Sequence, residues 1–242
     1  MAWLKNDAPL NFVSLDPEKV LETIRKLHSR ITERFPDAGL ARVCADLEQV
    51  CARSTKRIQW IAAPIWPLRI MRYAIICGVV IGLGITFFDL RPAELVGYDT
   101  MERLQFFESG INNLLLLSAA LFFIWTLESR IKRSRALAAI HELRSIAHVI
   151  DMHQLTKDPD RLLESHKSTA SSPHNFESAF ELRRYLDYCT EMLALVSTVA
   201  ARHLQYLNDT AVVGAVNEVE DLTNGLSRKI WQKINMLTPR QN

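Results

Sequence analysis

His141, His148, Asp151 and His153 are the densest group of residues able to do chemistry, since imidazole and carboxylate are common divalent-metal ligands and proton carriers. On a helix, His148 and Asp151 stand three apart on one face and offer two ligands to one metal. His141 lies two turns back and His153 points elsewhere, so a third ligand must come from a later segment, with Glu191, Glu220 and Asp221 as candidates. Completed in that way, the group would serve a metal-dependent hydrolase. The spacing matches no zinc signature, and the competing expectation is an exposed hydrogen-bonded pair flanking an apolar face, with Arg144 nearby. His203 falls on an apolar stripe and is expected to be a satisfied core histidine. A polar row near the C-terminal end, Asn217, Asp221, Asn224 and Arg228, follows helical spacing and would line either a polar cleft or a solvated face. No glycine-rich phosphate loop, nucleophile elbow, CxxC or HExxH occurs, so neither a catalytic residue nor a cofactor is assigned.

The elements that would position these residues are organised around two apolar stretches, Tyr73 to Phe88 and Leu114 to Trp125. A bilayer core takes about 20 mostly apolar helical residues. Ile70 to Leu90 has that length if Arg72 snorkels to the interface, whereas Ile111 to Leu127 is shorter and is extended only by Asn112 and Asn113. Cations crowd one side only: Arg53, Lys56, Arg57, Arg69 and Arg72 precede the first stretch, and Arg130, Lys132, Arg133 and Arg135 follow the second. The intervening segment has Arg91 and Arg103. The positive-inside rule then predicts a transmembrane hairpin in the cytoplasmic (inner) membrane with both termini cytoplasmic. Trp60, Trp66 and Trp125 fall at the inner ends, where an amphipathic indole is favoured. Gly78, Gly82, Ser118 and Ala119 supply small faces that let helix backbones approach, either within one hairpin or between copies. Between the spans, Asp99 or Thr100 to Gly110 is expected to be a short amphipathic helix on the membrane surface.

Outside the spans the periodicity is helical throughout. Asp16-Pro17 is a helix start, followed by Val20, Ile24, Leu27 and Ile31 until Phe35-Pro36. A second stripe, Leu40, Val43, Leu47, Val50 and Ile58, has a gap around Thr55. After the second span, Ala136, Ala139, Ile140, Leu143, Ile146, Ala147 and Ile150 mark a helix leaving the membrane; Leu155 to Asn175 reads as the main loop. A heptad from Ala179 to Leu207 and a last stripe from Val212 to Ile230 then form an antiparallel pair.

The 29 Lys and Arg against 27 Asp and Glu leave a net charge of +2, which points to no nucleic-acid partner. Cys44, Cys51, Cys77 and Cys189 avoid the segment between the spans and are expected to be reduced thiols. The segments His141 to Pro159, Leu186 to Leu193 and Leu226 to Ile234 resemble an uncharacterised family of bacterial two-span membrane proteins. That resemblance implies a bacterial source and carries no activity, ligand or partner.

The expected fold is therefore all-α: a two-span transmembrane helical hairpin with a cytoplasmic bundle formed by N- and C-terminal helix pairs. Its parts are residues 1–66, the hairpin 67–127 with an external loop at 89–110, and 128–242. The expected function is a membrane-anchored interaction or regulatory module that self-associates and engages the bilayer and a cytoplasmic protein. A small oligomeric channel with Asn112 and Asn113 at its mouth is the alternative, and the hydrolase a further one.

Overall fold

The computed structural model describes residues 15–89, 100–159, 176 and 178–237. Among these residues every element is helical and no strand occurs. In chain order the helices are α1 (Pro17–Arg34), α2 (Gly39–Ala62), α3 (Trp66–Asp89), α4 (Thr100–Leu155), α5 (Ala179–Ala201), a 3-10 turn Arg202–Gln205, and α6 (Thr210–Met236). The chain divides into two compact units, Met1–Ala62 with Arg135–Asn242, and Ala63–Ser134.

In the first unit the helix ends follow from local chemistry. Asp16 Oδ1 accepts the Glu18 N–H at 2.9 Å, and Pro17 fills the first helical position, where its missing N–H costs nothing. Pro36 cannot continue α1, whose last turn closes with the Phe35 N–H on the Ile31 carbonyl. Ser178 Oγ accepts the Glu181 N–H at the start of α5, and Asp209 Oδ1 accepts the Ala211 N–H at the start of α6. Each helix then turns one stripe inward. Val20, Ile24, Leu27 and Ile31 of α1 pack with Leu40, Cys44, Leu47 and Cys51 of α2, Ala136, Ile140, Leu143 and Ile150 of α4, and ten buried residues of α5. On α6 the fully covered positions are Val212, Val216, Val219, Thr223, Leu226, Ile230 and Ile234. Ala215 and Leu222, on the edge of the same face, are only partly buried. The expected heptad also shortens: α5 stops at Ala201, and Tyr206, beyond the 3-10 turn, is 49% exposed.

The second unit holds α3 and the first part of α4. Ala63 to Ile65 separates α2 from α3, and Pro67 sits in the first turn of α3, where it is tolerated. At 24 residues α3 is about 36 Å long, enough to cross a hydrocarbon core. Among the described residues two helices are long and apolar enough to cross a membrane. In their apolar stretches Val80 is 63% exposed, Leu116 65% and Trp125 66%. The expected stop at Gly110 does not occur, and α4 runs unbroken for 56 residues. A single glycine costs a helix interior only about 1 kcal/mol, and no proline lies between Thr100 and Leu155. The expected features at residues 1–12, 90–99 and 160–175 lie outside the described residues.

Candidate functional site

A cleft of about 720 Å³ in the first unit opens where the α1–α2 turn meets the end of α4 and the start of α5. That volume suits a small molecule or a short peptide segment. Phe35 and Pro36, which end α1, form one wall. Phe176 and Tyr185 form another, packed edge-on to Phe35 at ring-centroid distances of 5.7 and 5.6 Å. The Lys157 ammonium stands 4.9 Å from the Phe176 ring centre and 5.6 Å from that of Tyr185. Arg34, Asp37, His153 and Glu181 add charge or potential charge to the lining.

His153 lies directly over the start of α2. A Cβ placed on Gly39 would collide with its imidazole, so glycine is the residue that admits this approach. Burial, with Lys157 and Arg42 nearby, holds the His153 pKa below its ordinary value. Burial also lowers the Lys157 and Lys233 amines. Lys233 reaches from α6 to donate to the carbonyls of Gln154 and Lys157 at 2.9 and 3.1 Å, placing a cation at the C-terminal end of α4 and the turn just beyond it. The Tyr185 phenol is pushed up by burial. The lining thus joins three aromatic rings to an amine and an imidazole whose pKa values are both lowered.

The second polar cluster lies inside the helix core. Arg202, 1% exposed, donates to Ser54 Oγ at 3.3 Å and Thr55 Oγ1 at 3.2 Å, with Cys51 Sγ at 3.9 Å. Its Nε has no hydrogen-bond partner, and the two hydroxyls and the thiol that receive its other N–H groups are neutral. Next to it, His203 Nδ1 lies 3.2 Å from the Val199 carbonyl and 3.3 Å from that of Ala200, which makes it the donor and leaves Nε2 an unpartnered acceptor. Burial lowers the His203 pKa. Burial raises the Cys51 thiol and drives Cys44 and Cys189 to about 12, so these three buried thiols are poor nucleophiles.

The residues singled out by spacing scatter. His148 is exposed, while Asp151 accepts from Gln154 Nε2 at 2.6 Å. Glu191 pairs with Arg30 at 2.5 Å, and Asp221 is exposed. No group of three potential metal ligands occurs among the described residues. Asn217, Asp221, Asn224 and Arg228 are all exposed on the outer side of α6. Gly78, Gly82, Ser118 and Ala119 are likewise exposed, and a Cβ on either glycine would meet nothing within 4 Å. Asn112 and Asn113 are exposed on α4.

Two signals in the sequence pointed at the buried cluster. The gap in the α2 stripe around Thr55 is the place where Arg202 docks. Arg202 also continues the row Tyr188, Leu195 at sevens, so an arginine occupies a position that the pattern assigns to an apolar side chain. Gly39 and Lys233 gave no comparable signal, because each acts on a segment far away in sequence. No protein-family model, curated protein or solved structure matches the chain.

Proposed function

We propose that the protein is a membrane-anchored helical interaction or regulatory module of the bacterial inner membrane. The apolar side chains of the two apolar stretches, such as Val80 of α3 and Leu116 of α4, carry this reading: they are exposed along helices long enough to cross a bilayer, while the inward stripes of the first unit are covered. In water such a surface would drive aggregation; in lipid it lies in its preferred solvent. The one-sided cations support an orientation with both termini in the cytoplasm, as a two-span hairpin carrying a helical bundle on that side. The 720 Å³ cleft gives the bundle a place to hold a partner segment or small regulator. Self-association falls to surfaces other than the stripe of α5, whose Leu182, Leu186, Leu193 and Val196 are covered within the chain. The open faces at Gly78 and Gly82 are available for it.

Alkaline washing of membranes from cells making the full chain, followed by light scattering of the detergent-solubilised protein, tests both halves. The expected result is retention in the pellet and a particle holding more than one chain, or one chain with a second protein. Release into the wash would remove the anchor, and a solitary monomer would remove the interaction module.

A further inference from the structure

We propose that the cleft between the α1–α2 turn, the end of α4 and the start of α5 takes a small aromatic aldehyde, stacked on its ring walls and held at the carbonyl carbon as an imine with Lys157. The inference rests on the reading of this cleft as the place of a small regulator and gives that regulator a chemical class. Lys157 is fixed where such a ligand would reach it. Its backbone N–H donates to the Gln154 carbonyl at 3.1 Å in the turn that follows α4, and its own carbonyl accepts from Lys233 Nζ at 3.1 Å. From that anchored turn the half-buried side chain extends over Phe176 and Tyr185, whose ring centres lie 5.1 Å apart with their planes inclined at 50°. Phe35 meets both rings edge-on. The amine therefore stands in the lining of a 720 Å³ space walled by three rings, room for one further ring and a short substituent.

Ring walls favour a planar aromatic body, which they meet in offset or edge-on contact. The amine chooses the reactive group. A lysine is nucleophilic only when neutral, and apolar walls withhold the water that would stabilise its ammonium. Burial accordingly lowers the Lys157 amine; the opposing pull of Cys189 needs a thiolate, and burial drives that thiol to about 12. His153, in the same lining, has its pKa lowered from 6.5 and so stands neutral at pH 7. In the capture the Nζ lone pair adds to the carbonyl carbon and forms the C–N bond. The carbonyl oxygen then leaves as water with the two hydrogens of the neutral amine, and a C=N bond remains. Nothing is oxidised or reduced, and water reverses the step, as release of a regulator requires. Lys56 and Lys229, exposed on α2 and α6, stay solvated and keep their charge as the cost of reacting.

The test incubates the full chain in detergent with benzaldehyde and sodium cyanoborohydride, which reduces an imine to a stable benzylamine, and maps the benzyl groups by peptide mass spectrometry at low conversion. Lys157 is expected to be labelled ahead of Lys56 and Lys229 by about tenfold. Propanal forms the same imine without a ring, so its preference for Lys157 should be about fivefold smaller, as the loss of a ring contact implies. Phe176→Ala should reduce the benzaldehyde preference by a similar factor. Excess benzyl alcohol, which fills the ring walls but has no electrophilic carbon, should slow labelling of Lys157 alone in the native chain, and needs no variant to fold. Labelling of Lys157 no faster than of the two exposed lysines would overturn the capture. Equal preference for benzaldehyde and propanal, or no protection by benzyl alcohol, would overturn the aromatic site. Membrane pelleting and light scattering enter none of these comparisons, so the anchor and the interaction module stand or fall separately.

Discussion

Leu186 and Leu116 are the same residue in the same kind of helix, yet the first is fully buried and the second 65% exposed. Their helices differ in the opposite face. Around Leu186, α5 turns Arg183, Arg184 and Glu191 away from its apolar stripe, so one side can face water while the other packs on α1, α2 and α6. Around Leu116, α4 is apolar on every side from Leu114 to Trp125 apart from Ser118, so no rotation leaves a polar face outward. An amphipathic helix finds its partners within the chain; a helix apolar all round needs an environment that is itself apolar. In the described part of the second unit, Ile124 is the one buried apolar side chain.

Four substitution experiments sharpen that contrast, beginning with the largest effect. Leu186→Ala should remove about 4 kcal/mol of stability through lost transfer energy and an unfilled cavity. Leu116→Ala should change it by no more than about 0.5 kcal/mol. Equal shifts in the denaturation midpoint of the helical circular dichroism signal would erase the distinction between the units. Val80→Arg, at the midpoint of the first apolar stretch, should oppose insertion by about 3 kcal/mol and move protein from the washed membrane into the supernatant. A water-facing helix would accept the same arginine without consequence.

Arg202 probes the exception inside the packed unit. Arg202→Ala should cost about 3 kcal/mol, since it leaves a void and frees the Thr55 hydroxyl. Arg202→Met, which fills the space without a charge needing compensation, should stay within about 1 kcal/mol of the native chain in chemical denaturation. A methionine variant as damaged as the alanine one would mean that the guanidinium hydrogen bonds, rather than the filled volume, hold that end of α5.

The smallest effect is a pH slope. Burial lowers the folded-state pKa of both His203 and His153 from 6.5, so the unfolded chain binds more protons as acidity rises. Their contribution to stability is complete above pH 6.5 and is lost as pH falls through the lowered folded values. His203→Asn, which keeps a donor near the Val199 and Ala200 carbonyls, should flatten the decline in melting temperature over that window. An unchanged slope would assign the decline to other groups.

The helices themselves were legible because their signals are local. Asp16-Pro17 and Phe35-Pro36 bound α1 as their capping and backbone chemistry requires, and the stripes of α1, α2 and the later part of α4 face inward as their spacing predicts. The break expected at Gly110 does not occur, since a lone glycine weakens a helix without ending it when its neighbours propagate. His148 and Asp151 gain no third ligand among the described residues, and Glu191, one of the candidates for it, is engaged by Arg30.

By itself, the sequence determined the all-helical character, the two uniformly apolar stretches and the charge asymmetry around them, because each depends on neighbours within a few turns. Tertiary structure alone decided that Arg202 fills the gap in the α2 stripe, that His153 rests on Gly39, and that Lys233 reaches the end of α4. Those contacts join residues from 79 to 148 positions apart in the first and last of these cases, and a periodic pattern fixes which side of a helix turns inward without saying which other helix it will meet.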